Sequence, residues 1–257
     1  MTMSECGTDV ENEIQALGAT LLQSAKHLGL QLSDSQIDLF GRYSGLLIDA
    51  NRSFNLTAMR TPEAMYQQLF VDSFTLAPVL SEYLPGRAPQ SLVDIGSGAG
   101  IPGIPLKLLW PGMRLDIVES AGKKSRFMTQ VAEELDLKNV RVWNDRAEVV
   151  ATMGEMRDAA DICVARAVAP LRIAIELCAP FVRLGGVVAF PKGQQARIEV
   201  AEAERVARAL GLGKPQTHGV SPEAGVGDHR SIVVYRKIAP TPPGFPRRVG
   251  IAGSQPL

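Results

Sequence analysis

Three observations predict a doubly wound α/β domain, with a mostly parallel Rossmann-like sheet behind a helical N-terminal region. From Ser91 onward short apolar strands alternate with amphipathic helices, the grammar of a parallel sheet covered on both faces. The first of those strands runs into a loop containing Gly96, Gly98 and Gly100. Residues 11–84, by contrast, carry helical periodicity. A chain of 257 residues, 46% hydrophobic and 21% charged, is long enough to bury a substantial core, which excludes disordered and fibrous classes.

In chain order, Ile14, Leu17, Leu21 and Leu28 keep one helical stripe. A second helix starts at Ser33, where a hydroxyl cap and Gln36 form the pattern of a capping box, and presents Ile37, Phe40 and Leu47. A third is capped by Thr61, has Pro62 at its first position, and shows Met65, Leu69, Leu76 and Leu80. The turn at 85–90 ends this region, so 1–89 reads as the helical part and 90–237 as the Rossmann-like domain. Strands are expected at 91–96, 114–120, 140–145, 160–166, 185–193 and 230–237. Residues 238–257 hold Pro240, Pro242, Pro243, Pro246 and Pro256 and are expected to form an extended, basic tail.

Twenty-seven basic side chains balance 27 acidic ones, yet the distribution is uneven. Residues 1–90 carry 5 basic and 10 acidic groups, whereas residues 201–257 carry 8 and 4, so an anionic partner meets the second half. Cys6, Cys163 and Cys178 form no CxxC pair, and His27, His218 and His229 are far apart, so neither a disulfide framework nor a metal site is expected. Cys163 and Cys178 read as small buried hydrophobes. The acidic start lacks an apolar core segment and no stretch spans a bilayer, which makes a soluble cytoplasmic protein the expectation.

The segment VDIGSGAGIPGIPL, 93–106, is the most informative. Its glycines let a ligand approach bare backbone at the carboxyl end of the first strand. A dinucleotide fingerprint wants GxGxxG, but Ile101 stands where the third glycine belongs, which disfavours a pyrophosphate ligand. Glu119 ends the second strand at the interval where a carboxylate meets a ribose diol. Asn144, Asp145, Arg146, Ala147 and Glu148 follow the third, where further adenosine contacts belong. An adenosine without phosphates points to S-adenosyl-L-methionine.

The motifs NLTA (55–58), VDS (71–73), DIGSGAGIPGIPLK (94–107), GKKSRF (122–127), RAE (146–148), ARAVAPL (165–171), KG (192–193) and APTPPGFPRRVG (239–250) occur in one order. In this the chain resembles the ribosomal RNA small subunit methyltransferase G family, the glucose-inhibited division protein B group. The resemblance implies a class I S-adenosylmethionine-dependent methyltransferase acting on N7 of a guanosine in 16S rRNA or a small-subunit precursor. It places the cofactor on Gly96, Ile101, Glu119, Ala147, Glu148 and Arg166, with Gly98 and Gly100 completing the loop. The chain departs from the family at Leu69, where many members have histidine, at Ser231 after Arg230, and at Gly253, Ser254 and Gln255 near its end.

Guanine N7 attacks with a lone pair and has no proton to lose, so orientation is the enzyme's main task. No GxSxG, HExxH or Cys-His constellation is present, and no catalytic residue is assigned. Lys123, Lys124, Arg126, Lys192, Arg247 and Arg248 are the candidates for RNA phosphates, with a solvated helix face as the plain alternative. For Arg166 the alternative is a buried ion pair with Glu148 or Asp145. Asn55 and Thr57 read as loop-shaping residues, and Phe127 and Met128 as core. Two competing functions are a methyltransferase for a small molecule or protein and an inactive RNA-binding module. The intact Gly96, Glu119 and Glu148 set argues against the second.

Overall fold

The computed structural model describes residues 18–257 apart from Pro85. Ile14, Leu17 and Cys6 therefore lie outside the described residues. A helix α1 covers 18–27, and α2 follows at Asp34–Ser53. The predicted capping box is present: the Gln36 N–H donates to Ser33 Oγ and the Ser33 N–H to Gln36 Oε1. Thr61 caps α3 (Pro62–Met65), as its spacing predicts.

The third predicted helix is not uniform. After α3 come a π-helical turn at Tyr66–Val71, α4 (Asp72–Phe74) and α5 (Leu76–Tyr83). The wider turn breaks the regular stripe, so consecutive residues Leu69 to Phe74 are all buried, Asp72 and Ser73 among them. Strict 3.6-residue periodicity does not reveal such an insertion.

The sheet has seven strands in the order β3-β2-β1-β4-β5-β7-β6. They are β1 (Ser91–Ile95), β2 (Arg114–Val118), β3 (Val140–Trp143), β4 (Ala160–Ala165), β5 (Val182–Lys192), β6 (Gln216–Gly219) and β7 (Ser231–Arg236). Strands β1 to β5 pair in parallel, and β7 is antiparallel to both β5 and β6. Helices α6 (Gly103–Leu109), α7 (Gly122–Glu134), α8 (Ala147–Val150), α9 (Leu171–Cys178) and α10 (Ala196–Ala209) connect them.

One strand expectation needs correction, and one strand was not expected. Strand β5 begins at Val182 rather than residue 185, because two steps along β4 face five along β5, from Ala160↔Val182 to Ile162↔Val187. Asp161 stabilises this bulge by accepting from Arg183 Nε at 2.8 Å, and a Cβ on Gly186 would come within 2.6 Å of Asp161 O. Strand β6 carries no apolar pattern, being QTHG and largely exposed, and gave no strand signal. The tail is corrected too: it is proline-rich but docked, and it closes with a short helix α11 (Ile251–Ser254).

Alternate residues of each strand feed two apolar layers. Leu92, Leu115, Ile162, Val164, Val187 and Val234 share one cluster with Leu21, Phe40, Phe70 and Leu80 of the N-terminal helices. Val93, Val118, Cys163, Val188 and Tyr235 join the other with Val150, Ile175 and Val206 from α8, α9 and α10. The helical region is thus one covering layer of the sheet, sharing a core with it. Phe70 lies within 5.2–5.3 Å, centroid to centroid, of Phe40, Tyr43 and Tyr66. Phe70→Ala is expected to cost about 3–5 kcal/mol in denaturant unfolding and to leave a single transition. A loss confined to a separate early transition would mean that the helices unfold independently of the sheet.

Candidate active site

Strand β1 is buried along its whole length and delivers the chain to Gly96 at φ 65°. Gly96 N–H donates to Val118 O at 2.8 Å, and the N–H groups of Gly100 and Ile101 both donate to Ser97 O at 3.0 Å. The three glycines do different work. A Cβ on Gly96 would lie 2.7 Å from Val168 Cγ2, and one on Gly100 would lie 2.4 Å from Ile104 Cδ1 and 2.8 Å from the Tyr43 hydroxyl. These two are close-packing positions. Gly98 has φ 62° and only Gly96 O at 4.0 Å, so its face is open for a ligand.

Glu119, just past β2, is 7% exposed and braces this loop. Its Oε2 accepts from Gly98 N–H at 3.1 Å and its Oε1 from Ala121 N–H at 2.8 Å. Each carboxylate oxygen has a further lone pair, which suits a vicinal diol. Its own carbonyl accepts from Ser125 Oγ and Asn144 Nδ2, fixing the ends of β2 and β3 relative to each other. Ala147 is buried at the start of α8, and Glu148 Oε1 accepts from Gly250 N–H at 3.0 Å. Ile101 is buried, with its backbone in the turn.

Arg166 follows β4, and its partner differs from the expected Glu148 or Asp145. Its Nε lies 3.1 Å from Asp72 Oδ2, and its NH2 donates to Gln68 O at 2.9 Å. The ion pair exists, but it ties the carboxyl end of the central strand β4 to the N-terminal helices. Burial lowers the Arg166 pKa, Asp72 and Asp94 oppose that, and Arg230 reinforces it. Arg230 Nε lies 3.5 Å from Asp72 Oδ1, so one buried carboxylate serves two guanidiniums.

The six basic candidates divide. Lys123, Lys124 and Arg126 on the first turns of α7 make no ion pair or hydrogen bond among the described residues. Lys123 and Arg126 line a groove of about 410 Å³ with Leu46, Ala50 and Phe54 of the α2 end. Arg248 is exposed. Lys192 is paired with Glu199 at 2.8 Å, and Arg247 holds the 1%-exposed Glu176 with two bonds of 2.7 and 2.6 Å. Those two cations are engaged within the fold. Phe127 and Met128 are buried as expected, and Cys163 and Cys178 are buried free thiols. Thr57 Oγ1 accepts from Met59 N–H and Asn55 Oδ1 from Arg60, which gives both the loop-shaping role expected. Among the described residues there is no metal-binding cluster of His, Cys, Asp or Glu, and no helix is long and apolar enough to cross a membrane.

Asp94, Asp72 and Tyr43 were not singled out by sequence reasoning. The available signal was an aspartate inside an otherwise apolar strand, SLVDI. Asp94 Oδ2 accepts from Ser97 Oγ and from Gly103 N–H, while its Oδ1 is buried without a partner. Burial pushes its carboxyl up to about 6, with Glu119 adding to the rise and the bonds from Ser97 and Gly103, together with Arg166, opposing it. The folded state therefore prefers the protonated acid, and this group's contribution to stability weakens as pH rises from about 4 to 6. Asp94→Asn is expected to gain stability relative to the parent across that window, by on the order of 3 kcal/mol at most, and to hold the gain above it. Urea denaturation at pH 4, 5, 6 and 7 reads this directly, and a pH-independent difference would refute it.

A family model described as GidB, rRNA small subunit methyltransferase G, matches residues 36–226. A ribosomal RNA small subunit methyltransferase G of Chloroflexus aggregans is 40% identical over 238 residues, covering 92% of this chain and 97% of that protein. One from Roseiflexus sp. is 42% identical over 238 residues, covering 92% and 98%. Among solved structures, the CurJ carbon methyltransferase superposes with a TM-score of 0.51 at 13% identity, covering 89% of this chain and 71% of that one, which shows the class I fold alone. With a family match over most of its length and such relatives over nearly all of it, the chain belongs to the GidB family, rRNA small subunit methyltransferase G.

Proposed function

We propose that this chain transfers a methyl group from S-adenosyl-L-methionine to N7 of a guanosine in 16S rRNA, acting in the cytoplasm on the RNA or a small-subunit precursor without an obligate protein partner. Family membership over residues 36–226 carries the reading, and the geometry at the end of β1 fits it. The open face of Gly98 is the cradle a Cβ would fill, and Glu119 beside it keeps spare acceptor capacity for ribose hydroxyls. Gly96, Gly100 and Ile101 shape the loop; Ala147 and Glu148 stand on the adenosine side; Arg166 stands on the β4 side. The cofactor supplies a methyl group on a sulfonium, and N7 supplies an in-plane lone pair.

The residues of the chain therefore have orientation as their task, and no proton needs to be removed from N7. Asp72 and Gln68 hold Arg166 in one pose at the carboxyl end of β4. Lys123, Lys124, Arg126 and Arg248 are the cations available to phosphates, which fix position and not sequence. The free face at the start of α7 follows directly on Glu119, so RNA held there passes close to the glycine loop.

Mapping 7-methylguanosine in 16S rRNA from cells with and without the gene tests the activity; an unchanged pattern refutes it. Glu119→Gln is expected to weaken binding of S-adenosylhomocysteine by roughly ten- to a hundredfold, since charge-assisted bonds are lost. Parental affinity in titration calorimetry would show that the ribose lies elsewhere. Lys123→Ala combined with Lys124→Ala is expected to weaken RNA binding and to lower its salt slope by roughly one to two, with cofactor affinity kept. An unchanged slope would return both lysines to an ordinary solvated helix face.

A further inference from the structure

The C-terminal tail is held to the domain by contacts along most of its length. At its root Lys237 Nζ, inside the protein, donates to Ala179 O at 2.8 Å, and Thr241 Oγ1 donates to Asp158 Oδ1 at 3.0 Å. Arg157 reaches across to the carbonyls of Phe245, at 2.7 Å, and Thr241, at 3.1 Å. Phe245 and Leu257 pack on the apolar layer containing Val150 and Ile175, and Ala252 of α11 is 3% exposed. Between these contacts Arg247 locks onto Glu176 of α9. A chain with so many prolines and so few backbone bonds of its own is ordered by what it docks on.

This docking ends on a residue of the candidate cofactor site. Gly250 has φ 83°, a left-handed conformation natural to glycine, and its N–H points at Glu148 Oε1. No other hydrogen bond to the Glu148 side chain occurs among the described residues. Glu148 sits on the four-residue α8, whose first residue follows the loop after β3. A glutamate there without the tail keeps its rotamer freedom and pays for ordering when a ligand arrives.

We infer that the tail is a positioning element of the cofactor site. Arg247 on Glu176 is the anchor, and Gly250 N–H is the contact that fixes the Glu148 carboxylate on the adenosine side of the cleft. The inference rests on the cofactor placement proposed above. It also reassigns Arg247, which acts through Glu176 and Glu148 and not by touching RNA.

The test uses the full-length protein and S-adenosylhomocysteine as probe. Arg247→Ala with Glu176→Gln removes the anchor without leaving a buried charge, and Arg247→Lys keeps the charge but loses the fork. The double variant is expected to weaken binding roughly three- to tenfold by calorimetry, with Arg247→Lys in between and with RNA affinity and its salt slope unchanged. In a Glu148→Ala background, itself weakened, removing the anchor is expected to add nothing further. That non-additivity separates positioning from a general loss of structure. Parental affinity in both Arg247 variants, with Glu148→Ala weakened, would overturn the tail's role while leaving the cofactor placement intact. Parental affinity in Glu148→Ala would overturn the placement itself. A lower salt slope in the double variant, with the parental slope kept in Arg247→Lys, would overturn the inference in favour of direct RNA contact.

Discussion

The close approach of three layers at the glycine loop constrains the rest of the structure. Val168 presses on Gly96 from the β4 side, Ile104 and the Tyr43 hydroxyl crowd Gly100 from below, and Glu119 receives the Gly98 N–H from β2. Tyr43 is fully buried on α2 and donates to Ala99 O, so the helical region reaches the loop directly. A loop held from three directions leaves one open side, above Gly98. The core that the N-terminal helices share with the sheet thus braces this loop through their aromatic cluster, while the backbone at Gly98 stays bare.

Buried carboxylates supply the second level of order. Asp161 joins the turn before β1 to the β5 bulge by accepting from Gln90 N–H, Ser91 N–H, Arg87 and Arg183. Asp116 ties β2 to β3 through Arg141 Nε and Trp143 Nε1. Asp72 ties the π-helical turn to the ends of β4 and β7 through Arg166 and Arg230. Such pairs add little net stability against apolar replacements, yet losing one partner costs several kcal/mol, so they specify which segments meet. Asp94 differs because it makes no ion pair among the described residues, and burial pushes its carboxyl up to about 6.

Much of this was legible in sequence because local chemistry decided it. Ser33 and Thr61 cap helices with their own side chains, and the strand cores are alternating apolar runs bounded by glycine or charge. Glu119 was legible because its distance from the loop is set by one βαβ unit. What stayed hidden was non-local. The partner of Arg166 lies 94 positions away at the start of α4, just past a π-helical turn that has no sequence pattern, and β6 is a polar edge strand defined by pairing with β7 alone. The tail's prolines indicated irregular backbone correctly but gave no sign of docking, because Glu176, Glu148 and Arg157 meet it only in three dimensions.

The charge distribution then has a physical reading. A chain with 27 charges of each sign has no global attraction for RNA. Many of its guanidiniums are spent inside the fold, on Asp72, Asp116, Asp161 and Glu176. The cations that remain unpaired at the start of α7 stand at a 13-residue helix's positive end, where the backbone dipole adds to their field. Unpaired cations are thus gathered at the helix end that follows Glu119. On the function proposed above, a surface so arranged would bind polyanions weakly in general and favour the poses that bring RNA to that helix end, which is the behaviour required of an enzyme that must find one guanosine among many.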